Sequence, residues 1–169
     1  MWSNYFRLCL FSLIYQEIFL ATTDPIKESN NSQNWDKNLD EFFTIMELEF
    51  AVEFDIELDE LGTNKEEYLN KLAIELTSQM QSFMTDKDAY SDILKNNLES
   101  WTNTFNIIKS ILYCFLMEQK HFGENAKFEK NIFGVYIKLA EDFTVAANVK
   151  FVHAILAKII NKKLQIDTK

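Results

Sequence analysis

Only three glycines and one proline occur in 169 residues. Sandwiches and barrels need turn signals roughly every 8–12 residues, and a chain so poor in turn-formers cannot supply them. Its apolar residues recur instead at three- and four-residue steps. In NVKFVHAILAKII, residues 148–160, Val149, Val152, Ile155, Leu156 and Ile159 fall on one stripe of a helix turning about 100° per residue. With 47% apolar and 14% aromatic residues, the composition is that of a chain able to bury a real core. The expected fold class is all-α, a compact bundle of about seven helices, with residues 1–169 forming a single domain.

The expected helices follow from the same periodicity. The first covers about Asn4 to Leu20, and the polar stretch after it predicts a loop or insertion at about 21–36, with Pro25 and a Ser/Asn cluster. A second runs from about Leu39 to Leu58, apolar on more than one side and acidic on the rest. Gly62 suits its end, and Thr63 or Asn64 suits the next cap. A third helix spans about Lys65 to Met84, and Thr85 or Asp86 is expected to cap a fourth, ending near Trp101. FNIIKSILYCFLMEQK is apolar almost all round, which predicts the central helix. His121 falls in an expected loop, HFGENAK, before a sixth helix at about Phe128 to Asp142; the seventh contains the stripe above.

Net charge is −9, but residues 36–67 alone carry twelve carboxylates against Lys37 and Lys65, while residues 127–169 are net basic. A solvated helical face is the ordinary reading of such an acidic run. Cys9 and Cys114 sit in apolar helical runs without a second ligand at metal spacing, so two buried free thiols in a reducing compartment are expected. The N-terminal apolar stretch is interrupted by Gln16 and Glu17. It is read as a core helix of a cytoplasmic protein, with no membrane span. No Gly-rich phosphate loop, HExxH, CxxC or GxSxG is present. Function is therefore expected from a surface, with no enzyme activity, cofactor, metal or small-molecule substrate.

Phe151 stands one step off the apolar stripe, with Lys158 on its flank and Lys150 further round. Such an aromatic either caps the edge of a core or belongs to a contact surface, and periodicity does not choose between them.

The stretch LAEDFTVAANVKFVHAILAKI, residues 139–159, resembles the signature of the NusB family of transcription antitermination factors, which reads approximately LAKxFGxxxSxKFVNGVLDKI. Leu139, Ala140, Phe143, Lys150, Phe151, Val152, Leu156, Lys158 and Ile159 match without a gap. ILKNNLESW at 93–101, IIKSILYCFLMEQ at 107–119 and FRLCLFSLIY at 6–15 resemble further elements of the family in the family's order. The resemblance implies an all-helical fold in two subdomains. It also implies binding of boxA-like RNA of ribosomal RNA leaders together with ribosomal protein NusE, in support of RNA polymerase within an antitermination complex.

Carried over by position, the resemblance implies RNA contacts at Arg7, Asn148, Lys150, Phe151 and His153. Glu118 matches the Glu of the family's fifth-helix element and is the implied partner contact. Arg7 and Lys150 would meet phosphates, and Phe151 would stack on a splayed base. The sequence also departs from the pattern. Arg7 is the only arginine in the chain, Asn-Gly after Phe-Val is His153-Ala154, and Asp-Ser before Lys-Phe is Ala147-Asn148. Fewer phosphate contacts lower affinity steeply, so a NusB-fold protein acting mainly through protein contacts is the alternative expectation.

Overall fold

A computed structural model describes residues 1–23, 38–98, 101–123 and 126–167. Among them the protein is all-α, with seven α-helices and no strand. They are α1 (Asn4–Thr23), α2 (Leu39–Glu49), α3 (Ala51–Leu61), α4 (Lys65–Asn97), α5 (Asn106–Phe122), α6 (Ala126–Phe143) and α7 (Ala146–Asp167), with a 3-10 turn at Trp101–Asn103. The chain divides into two compact units, Trp2–Thr85 and Asp86–Lys169 with Met1. The loop expected at about 21–36 lies outside the described residues from position 24 onward; residues 21–23 continue α1.

In the first unit, Ser3 starts α1. Its hydroxyl accepts the Phe6 N–H at 3.1 Å and donates to Glu57 Oε2 on α3 at 2.7 Å, filling one of the orphan donors of a helix start. α1 buries Tyr5, Phe6, Cys9, Leu10, Leu13 and Ile14 and packs against α3. Tyr5 meets Phe54 edge-on with centroids 5.3 Å apart, and Phe54 meets Tyr68 at 5.7 Å. Such pairs contribute about 0.5–1.5 kcal/mol beyond their burial.

The expected second helix is two helices. Phe50, at φ −125° and ψ 46°, interrupts it. α3 ends at Gly62, whose φ of 62° is left-handed and whose N–H returns to the Leu58 carbonyl at 3.2 Å. Asn64 then caps α4, its Oδ1 accepting the Glu67 N–H at 2.8 Å. The expected third and fourth helices are one helix of 33 residues. Thr85 does not cap anything: its hydroxyl donates to the Gln81 carbonyl one turn back, at 3.0 Å, which lets the helix run on. Tyr68, Leu72, Leu76 and Met80 form the buried row expected for its first half.

In the second unit, α5 is buried on every side from Ser110 to Gln119, as expected of a central helix. It packs against α6 and α7, and α6 packs on α7. His121 belongs to the last turn of α5 rather than to a loop, and Gly123 (φ 82°) follows the helix. Trp101 donates its indole N–H to Ser91 Oγ at 3.1 Å and meets Tyr113 edge-on at 5.6 Å, fastening the end of α4 to α5. Cys9 and Cys114 are buried, and neither is in a disulfide.

Candidate nucleic-acid interface

Four of the residues singled out by sequence lie together at the start of α7. Thr144 ends α6, its N–H and its hydroxyl both directed to the Ala140 carbonyl at 2.8 and 2.7 Å. α7 opens two residues later with Asn148 and Val149 donating to the Val145 carbonyl at 2.9 and 3.1 Å. From this start Lys150 and His153 point to solvent, Asn148 and Phe151 are half-buried, and Val152 is fully buried. The His153 ring stands edge-on to Phe133 of α6 at 4.9 Å. Lys158, on the Phe151 flank, is also exposed.

Lys150 and Lys158 bring positive charge to this corner, and the exposed Glu141 and Asp142 lie just before it at the end of α6. The first turn of α7 holds no acidic residue, and a helix N-terminus attracts anions through its unpaired N–H groups. Among the described residues neither Lys150 nor Lys158 has a carboxylate at ion-pair distance, whereas Lys138 pairs with Asp142 and Lys120 with Asp86.

Arg7 and Glu118 are placed differently. Arg7 is 2% exposed in the first unit, and its guanidinium donates to the Trp2 carbonyl and to Asn4 Oδ1, both at 3.0 Å. A phosphate contact would require this group to leave those acceptors. Glu118 is fully buried on α5 and accepts the Tyr136 hydroxyl at 3.2 Å. A carboxylate so enclosed holds helices together and offers no face to a partner. Both residues matched the resemblance by position; the one sign of their burial was their place on apolar helical runs.

Two features escaped the sequence reading. Lys109 lies 4.9 Å from the Trp101 ring, and burial followed by the Lys95 charge lowers its pKa; Phe105, one turn before it, is 67% exposed. Cation–ring contact needs the end of α4 and the start of α5 to meet, which spacing cannot reveal. In the first unit, α2 and α4 enclose a groove of about 510 Å³ over Phe43, Leu69 and Ala73, with the Lys65–Glu47 ion pair (2.8 Å) among its lining residues. Among the described residues no cluster of three or more His, Cys, Asp or Glu could hold a metal, and no helix is long and apolar enough to cross a membrane.

These features define an all-α protein with a lysine-bearing, aromatic corner on its last helix. No family model matches the chain, and no curated protein or solved structure matches it.

Proposed function

We propose that this chain is a NusB-type RNA-binding factor of the cytoplasm. It acts by binding rather than catalysis, with boxA-like RNA of ribosomal RNA leaders, ribosomal protein NusE and the RNA polymerase antitermination complex as its partners. The observation that carries the reading is the Lys150–Phe151–His153 corner. It presents an unpaired ammonium, a half-exposed aromatic face and an imidazole at a helix start free of acidic residues. Single-stranded RNA is held by this combination, with phosphates on cations and splayed bases on aromatic faces. The motif likeness of residues 139–159 supports the same reading.

The test is binding of a boxA-like RNA at several salt concentrations. Lys150→Ala is expected to flatten the dependence of log affinity on log salt by about 0.7, the value of one single-stranded phosphate contact. Phe151→Ala is expected to weaken binding by about tenfold, within the range of one base stack. Salt-independent binding, or full affinity in both variants, overturns the reading.

A second reading is favoured by the burial of Arg7 and by exposed aliphatic residues on α2 and α3. In it the protein keeps the fold and acts mainly through protein contacts, with reduced RNA affinity. It predicts weak RNA binding, alone and with NusE.

A further inference from the structure

α3 is amphipathic in an inverted sense. Its one fully buried side chain is Phe54. At 100° per residue Val52 and Ile56 both lie about 160° from Phe54, which places them at the centre of the solvent face. They are 67% and 53% exposed. Asp55 and Asp59 flank this aliphatic pair on one side, Glu53 and Glu60 on the other. α2 repeats the arrangement. It buries Phe43 and Met46, while Ile45 and Leu48, about 140–160° from Phe43, are 51% and 77% exposed. A face that served only solubility would carry polar residues at these centres; scattered aliphatics need no explanation, but aligned ones mark contact sites.

The charge selects the occupant. Residues 39–61 contain nine carboxylates and no Lys, Arg or His. A second copy joined through this same face would bring two acidic faces together, and RNA or an anionic membrane would be repelled in the same way. We infer that the outer face of α3 docks a basic amphipathic helix of a partner protein. The partner's aliphatic row covers Val52 and Ile56, and its flanking lysines or arginines meet Asp55, Asp59, Glu53 and Glu60. This is the helix-on-helix mode of peptide recognition, in which aliphatic anchors give affinity and rim charges give orientation and rate. The inference deepens the protein-contact reading, and its test does not depend on RNA.

The experiment uses the full chain and a fluorescein-labelled peptide of about 14 residues, leucine and lysine placed to make an amphipathic helix. Fluorescence anisotropy is expected to show saturable binding that weakens with salt. A scrambled peptide of the same composition, and the Val52→Ser/Ile56→Ser variant with the original peptide, are each expected to bind at least about tenfold more weakly. Asp55→Asn/Asp59→Asn/Glu60→Gln should flatten the salt dependence, and it carries the test if the serine variant loses its helical circular dichroism. Equal binding of the scrambled peptide, or undiminished binding by the serine variant, overturns the inference and returns α3 to a merely solvated face. It is equally overturned if the same residues prove to mediate self-association in sedimentation, or if their substitution abolishes boxA-like RNA binding.

Discussion

The Tyr136 hydroxyl donates to Glu118 Oε1 at 3.2 Å where both side chains are fully buried. The phenol ring stands edge-on to Phe115 one helical turn away on α5 at 5.5 Å, so Tyr136 ties α6 to α5 by both an aromatic and a polar contact. Tyr136→Phe keeps the ring and removes the donor. It is expected to lower stability by about 1–3 kcal/mol, the cost of taking a partner from a buried acceptor. Urea denaturation followed by circular dichroism reads the shift, and a midpoint equal to that of the parent would show that the bond contributes nothing.

Arg7→Ala should act on stability and not on RNA. The guanidinium bonds to the Trp2 carbonyl and Asn4 Oδ1 inside the first unit, and hydrogen bonds to charged groups contribute about 1.5–3 kcal/mol. The expected result is a lower denaturation midpoint with boxA-like RNA affinity unchanged at temperatures where the variant is folded. A selective loss of RNA affinity at full stability would contradict the buried placement.

Alkaline pH should unfold the first unit's aromatic cluster. Burial raises the phenols of Tyr5 and Tyr68 well above the usual 10.0, with Cys9 adding to the effect at Tyr5 and Glu57 at Tyr68. Tyr90 in the second unit is raised chiefly by burial as well. A phenol whose pKa is raised in the folded protein holds its proton there while the unfolded chain loses it. Its stabilising effect is therefore complete below pH 10.0 and declines as pH rises beyond it. Absorbance at about 295 nm should show these phenols ionising together with the loss of helix; early, independent ionisation would mean they are open to solvent.

Gly62→Ala is expected to cost about 1–2 kcal/mol because φ is 62° there, a conformation that penalises a Cβ. No atom lies within 4 Å of the added carbon, so the penalty is conformational. Gly62→Asn should recover part of it, since Asn tolerates the left-handed region. Thermal denaturation ranks the three proteins; an unchanged Tm in the alanine variant would argue against a left-handed end to α3.

The helices that sequence placed well were those whose ends carry their own chemistry. Gly62 and Asn64 mark a stop and a start by backbone freedom and by a side-chain acceptor, and both were legible. Phe50 carries no such mark. Phe43 and Phe54 are eleven residues apart and fall within about 20° of each other on an unbroken helix, so periodicity reads straight through the break. Thr85 misled in the opposite direction, because a hydroxyl that can cap a helix can equally bond back to the carbonyl of Gln81.

At the candidate interface, spacing placed Val152 in the core and left Phe151 on the edge, where it is half-buried. The burial of Arg7 and Glu118 was signalled only by their apolar helical runs, because motif matching preserves position but not exposure. Nor was the outward pairing of Val52 with Ile56, since a helix apolar on two sides does not declare which side is covered.

The order in which the chain is made bears on α5. Ten successive residues, Ser110 to Gln119, are buried on that helix, and two of the helices packed on it, α6 and α7, follow it in sequence. A chain growing from its N-terminus at about 5–20 residues per second therefore presents this buried helix before two of the helices that cover it exist. The second unit is completed only after the Ile155, Leu156 and Ile159 stripe has emerged. Until then α5 is a substrate for whatever protects nascent hydrophobic segments, and truncation before α7 should yield aggregation, not a smaller fold.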